Sequence, residues 1–195
     1  MCKSTTTEPI RDKHHIREMA AYYLRRGKLR NHHLIVLGVY TGLRISDLLR
    51  LRVVDVYDFE AHRYRAHLHI VEGKTKKPKC IALNKRAIAA LVQYLGLVPG
   101  DPGTFLFQSK RKHHAAIGRT QAWRIVKEAA KAVGAMGRIS CHSLRKTLGY
   151  HAWKAGVQAV LLMDIYNHSS FDVTRRYLGI AQDDRDEVYL GLALT

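Results

Sequence analysis

The chain has 195 residues, 47% of them hydrophobic, so it is long and apolar enough to bury a core and is not broadly disordered. Lys and Arg number 33 against 16 Asp and Glu, a net charge of +17; such an excess repels itself unless a polyanion neutralises it, nucleic acid first and an anionic membrane surface second. No apolar run reaches the ~20 residues of a membrane span, the opening MCKSTTTEPIRDKHH lacks the apolar stretch of a signal peptide, and three dispersed cysteines, Cys2, Cys80 and Cys141, give no disulfide framework.

Residues 1–10 read as a flexible N-terminal arm. Asp12 to Arg26 is helical and stops at Gly27. Asn31 is placed to cap a second helix, which breaks at Thr41-Gly42. Ile45, Leu48, Leu49 and Leu51 form a helical stripe. The period then changes: Tyr64, Ala66, Leu68 and Ile70 alternate with Arg65, His67 and His69, and Cys80 to Leu83 returns as a partner strand after a charged turn from Glu72 to Lys79. Asn84 restarts helix, and Pro99 to Gly103 ends it. Phe105-Leu106-Phe107 is a short buried piece and Arg111 to His114 a basic loop. Helices over Gly118 to Val133 (Trp123, Val126 and Ala130 on one side), Ser140 to Ala155, Val157 to Ile165 and Val173 to Leu178 complete the chain. The fold class is mixed and mainly α, with a small inserted antiparallel β-sheet.

Two arginines stand where helices begin. Arg44 follows the Thr41-Gly42 break, and Arg145 lies near the start of the helix after Ser140. A cation there opposes the helix dipole, but the free N–H groups of a helix start also attract anions. Two guanidinium groups converging on one phosphate explain both positions. His142 shares a helix face with Arg145, His168 lies in a polar turn, and Tyr177 follows nine residues later. Together these groups suit phosphoryl transfer: arginines for charge on phosphorus, histidines for protons and a tyrosine for a covalent phosphoester. The adjacent pairs His14-His15, His32-His33 and His113-His114 lack metal-ligand spacing.

The motifs Thr41-Gly42-Leu43-Arg44-Ile45-Ser46-Asp47, His142-Ser143-Leu144-Arg145 and His168-Ser169-Ser170 with Tyr177 resemble the catalytic domain of the tyrosine recombinases, the phage-integrase family. The resemblance runs from about Asn31 to Tyr177 and implies a DNA breaking-rejoining fold over residues 11–178. It implies Tyr177 as nucleophile, with Arg44, His142, Arg145 and His168 around the phosphate. It also implies a general-acid lysine on a strand turn: Lys74 is the best match, with Lys76, Lys77 and Lys79 as competitors. Asp47 holds the place of an acid that orients Arg44. Two positions depart from the family pattern: Tyr166-Asn167 replaces the usual Leu-Gly before His168, and Lys146 replaces a common His after Arg145. Asn tolerates the left-handed backbone that Gly supplies.

The implied activity is site-specific cleavage and rejoining of double-stranded DNA through a 3′-phosphotyrosyl bond, with no metal, ATP or other cofactor. A type IB-like topoisomerase and a non-catalytic DNA-binding protein of the same fold are the alternatives. The implied assembly is a homotetramer on DNA, a monomer or weak oligomer when free, with accessory DNA-bending proteins as further partners, acting in the cytoplasm. The short N-terminal region resembles single-domain recombinases such as fimbrial switch invertases. The tail, residues 179–195, carries Val188, Leu190, Leu192 and Leu194 and docks either on a neighbouring protomer or on its own domain.

Overall fold

The computed structural model describes residues 7–112, 114–180, 186 and 189–191. In chain order these residues form α1 (Lys13–Leu24), α2 (Leu29–Thr41), α3 (Ile45–Leu48), α4 (Val53–Val56), β1 (Tyr57–Asp58), β2 (Arg63–Tyr64), β3 (His67–Val71), β4 (Pro78–Ala82), α5 (Lys85–Leu95), α6 (Arg119–Ala132), α7 (Cys141–Lys154), α8 (Ala159–Tyr166) and α9 (Phe171–Leu178). Local chemistry sets several boundaries. The Asp12 carboxylate accepts from the His14 N–H at 2.7 Å and opens α1, and the Asn84 side chain accepts from Ala87 N–H at 2.9 Å and opens α5. Gly42 closes α2 in the left-handed region, φ 58°, which a side chain adopts only with strain.

α2 runs through the core, burying Leu34, Ile35 and Leu37 and packing against α1, α5 and α7. The strands form two separate antiparallel pairs, β1 with β2 and β3 with β4, rather than one sheet. In the longer pair Leu68 faces Ile81 on the core side and His69 faces Cys80 on the outer side, the alternation legible in the sequence.

Three features differ from the sequence reading. α2 begins at Leu29 with Lys28 as its N-cap, so Asn31 lies inside the helix and does not cap it. The helical stripe after Arg44 is cut to a single turn, Ile45–Leu48, because Arg52 leaves it to bridge Phe105 and Val53 N–H donates to the Thr104 carbonyl. Those pairings are long-range, so the local period cannot show them. Of the expected flexible arm, residues 7–10 are packed: Ile10 is buried, its N–H donates to Thr147 Oγ1 at 2.9 Å, and its carbonyl accepts from His151 Nε2 at 3.0 Å. Lys146 Nζ reaches the Thr7 carbonyl at 2.6 Å. Residues 1–6 lie outside the described residues, as do Val188, Leu192 and Leu194 of the tail, whereas Leu190 is exposed. Among the described residues no helix is long and apolar enough to cross a membrane.

Candidate active site

Four local turns deliver Arg44, Lys74, His142 and His168 to one place. After Gly42 the backbone extends, and Arg44 stands at the start of α3. In the hairpin between β3 and β4, Lys76 N–H donates to the Glu72 carbonyl at 2.9 Å and Lys76 takes a left-handed φ of 58°. That closes a tight turn with Lys74 and Thr75 at its head. Ser140 opens α7 in a reciprocal cap with Ser143, whose Oγ accepts from Ser140 N–H at 3.0 Å. His142 and Arg145 follow in the first turn of α7. Asn167, at φ 53°, ends α8 and turns the chain into His168, so the amide residue does take the left-handed conformation that a glycine would supply.

Arg44, Lys74, His142, His168 and Tyr177 line one open cleft of about 1180 Å³. Tyr177 stands edge-on to both imidazoles, with ring centroids 5.0 Å from His142 and 4.5 Å from His168. The His168 ring is held by Thr174, whose Oγ1 lies 3.0 Å from Nδ1, and is stacked on buried Tyr166 at 5.2 Å. Burial, then the charges of Lys146, Arg145, Arg44 and Lys74, pushes His142 down to about 4. Burial, then Arg145 and Arg44, does the same for His168, also to about 4. Both imidazoles are therefore neutral near pH 7. Burial raises the Cys141 thiol to about 11, so this cleft residue is no thiolate nucleophile at neutral pH.

Arg145 differs from the others. Its side chain is fully buried and forms no part of the cleft wall. Nη1 donates to the Gly42 carbonyl at 2.7 Å and Nη2 to the Tyr166 carbonyl at 2.9 Å, while Nε is buried without a hydrogen-bond partner. Tyr177 lies over it, with the Arg145 Cζ 5.8 Å from the tyrosine ring centroid.

The carboxylate beside Arg44 is Glu72, with Nη1 to Oε1 at 2.8 Å, and not Asp47. Asp47 sits in α3 and turns to the hairpin, where Oδ1 accepts the Gly73 N–H at 3.0 Å. Among the competing lysines, Lys74 lines the cleft, whereas the buried Lys79 Nζ lies 3.9 Å from Glu72 Oε1. Burial, then the charge of Arg145, pushes Lys79 down to about 8. The sequence reading grouped Trp123 with Val126 and Ala130 on one helix side and gave it no place in the site. Val126 and Ala130 are buried as expected, but Trp123 is 48% exposed and lines the cleft with Arg119 and Thr120. Its position four residues after Arg119, which opens α6, was the available signal. Glu72 was legible only as the acid in a lysine-rich turn.

A model of the phage integrase family matches residues 11–183. The probable integrase/recombinase YoeC of Bacillus subtilis is 37% identical over 182 residues, which cover 93% of this chain and 94% of that one. A tyrosine recombinase of Pseudothermotoga lettingae is 30% identical over 156 residues, covering 80% of this chain but 51% of the relative. Against such longer relatives the chain spans about half their length. Among solved structures, XerA recombinase superimposes with a TM-score of 0.73 at 19% identity, over 98% of this chain and 66% of that one. A lambda integrase (75–356) dimer bound to a COC′ core site gives 0.67 at 19% identity, over 94% and 62%. These structures share the fold.

Proposed function

The chain belongs to the phage integrase family, and from that premise we propose that it is a site-specific recombinase that cleaves and rejoins double-stranded DNA through a 3′-phosphotyrosyl bond at Tyr177. The observation that carries this reading is the convergence of Tyr177 with two neutral imidazoles in a cleft that also holds Arg44 and Lys74. The net charge of +17 supplies the sequence-independent attraction to DNA.

Tyr177 Oη attacks the scissile phosphorus and gives its proton to His142. As the new P–O bond forms, the bond from phosphorus to the 5′ oxygen breaks, and Lys74 donates a proton to that oxygen. Arg44 and His168 hold the non-bridging oxygens. His168 Nδ1 pairs with Thr174 Oγ1 at 3.0 Å; we assign the tautomer in which the hydroxyl donates and Nε2 carries the proton, a donor for phosphate. Arg145, whose Nε has no hydrogen-bond partner within the protein, is assigned to the same oxygens. The phosphoester energy stays in the tyrosyl bond, so an incoming 5′ hydroxyl reverses the steps without metal or ATP. Strand exchange requires two duplexes and a homotetramer assembled on DNA in the cytoplasm.

The test is a pool of nicked duplexes of randomised sequence, which lose the short 5′ fragment after cleavage and trap the covalent protein. The wild type is expected to form an adduct whose peptide maps to Tyr177. Tyr177→Phe is expected to bind the pool within a few fold and to form none. An adduct that persists in this variant, or maps to Tyr166 or Tyr189, overturns the reading.

A further inference from the structure

Glu72 is a fully buried carboxylate in a protein short of acids. A buried charge is costly unless partners surround it, and Glu72 has five. Oε2 accepts from Thr75 Oγ1 at 2.7 Å and Asn167 Nδ2 at 3.2 Å. Oε1 faces Arg44 Nη1 at 2.8 Å, Arg145 Nη1 at 3.7 Å and Lys79 Nζ at 3.9 Å.

Four of these partners are, or adjoin, groups assigned to the reaction. Arg44 and Arg145 are two of them, Thr75 follows Lys74, and Asn167 precedes His168. One side chain thus touches three of the cleft-forming segments, those of Arg44, the Lys74 turn and the His168 turn, and also Arg145 in α7. Three cations around one oxygen repel one another without that oxygen's charge. The carboxylate holds them together before any phosphate arrives, which is the preorganisation that charge stabilisation demands. Glu72 itself does not line the cleft.

We propose that Glu72 is a positioning residue of this active site, fixing Arg44, Arg145, the Lys74 turn and the His168 turn in one arrangement; the proposal rests on the recombinase reading above. Glu72 stays ionised throughout the working pH range. Burial works against that, but Thr75, Arg44 and Asn167 outweigh it and bring the carboxyl to about 2.

The experiment measures adduct formation on the same nicked pool, with DNA affinity and thermal melting alongside, for Glu72→Gln, Arg44→Ala and the double variant. Glu72→Gln is expected to bind DNA within a few fold of wild type and to form adduct at least tenfold more slowly. In the Arg44→Ala background the same change is expected to cost no more than about twofold, because residues acting through one another are not additive. Should Glu72→Gln fold poorly, Glu72→Gln with Lys79→Met removes the stranded cation, and its restored melting with persistently slow cleavage supports the proposal equally. Wild-type cleavage in a well-folded Glu72→Gln variant overturns the proposal alone. So does a double variant that loses the product of the two single effects. A wild-type protein that forms no adduct overturns the recombinase reading and this proposal with it.

Discussion

Thr174 Oγ1 lies 3.0 Å from His168 Nδ1, one helical turn before Tyr177 on the same helix. The helix that carries Tyr177, the proposed nucleophile, therefore also holds the imidazole that Tyr177 packs against. Thr174→Val keeps the shape, removes the hydroxyl and leaves Nδ1 unpaired. It is expected to slow adduct formation on the order of tenfold, the scale of one unsatisfied buried hydrogen bond, with DNA affinity unchanged. Single-turnover cleavage measures it, and a wild-type rate refutes the tautomer assigned to His168.

Lys74 is the lysine exposed to the cleft, and Lys79 is turned inward on Glu72. An alkoxide is a poor leaving group, so Lys74→Ala is expected to cost roughly a hundredfold or more in cleavage of ordinary DNA. A substrate with sulfur at the 5′ bridging position needs little protonation, and Lys74→Ala is expected to cut it at nearly the wild-type rate. Lys76→Ala and Lys77→Ala are expected to lose affinity without sulfur rescue. Rescue of Lys76→Ala in place of Lys74→Ala reassigns the acid.

The excess of cations predicts steep salt dependence. The log of the DNA association constant is expected to fall against the log of salt with a slope of about −0.9 per phosphate neutralised. Fluorescence anisotropy across low and moderate ionic strength measures it, and a flat line argues against DNA as the partner.

Stability is expected to fall as pH drops from about 6.5 toward 4. His142 and His168 are held at about 4 and His33, buried between Tyr94 and Phe107, at about 3. Their unfolded values are about 6.5. Below 6.5 the unfolded chain binds protons that the folded chain refuses, so the stabilisation present at neutral pH is lost on acidification. Both His33 nitrogens lack hydrogen-bond partners. His33→Phe is expected to raise stability at pH 7 by about 1 kcal/mol and to flatten the acid limb of a melting-temperature profile.

Gly149 admits Tyr166. A Cβ at Gly149 meets Tyr166 Oη at 2.5 Å and Cε2 at 2.8 Å. Gly149→Ala is expected to cost about 1–3 kcal/mol of overpacking and to displace the ring beneath His168. Tyr166→Leu shortens that side chain, so the pair Gly149→Ala with Tyr166→Leu is expected to be more stable than Gly149→Ala alone. Chemical denaturation of the three variants decides it.

What the sequence determined by itself is governed by short-range chemistry. The Asp12 and Asn84 caps, the Gly42 break, the left-handed Asn167 and the alternation around Leu68 each depend on a residue and its near neighbours, so they are legible in one dimension. Arg44, His142 and His168 each stand at a turn or helix start that the sequence marks, whereas Tyr177, near the end of α9, stood out by its spacing from His168. Tertiary structure alone decided which carboxylate meets Arg44, which hairpin lysine faces the cleft and how deeply Arg145 is buried. It also decided that Thr7 to Ile10 dock on α7. Ion pairs and burial depend on distances between segments far apart in the chain, and neither the hydrophobic period nor the spacing of charges encodes where a side chain points once those segments meet. Asn167 joins the two levels: its local role was to tolerate a turn, and only the folded chain brings its amide to Glu72.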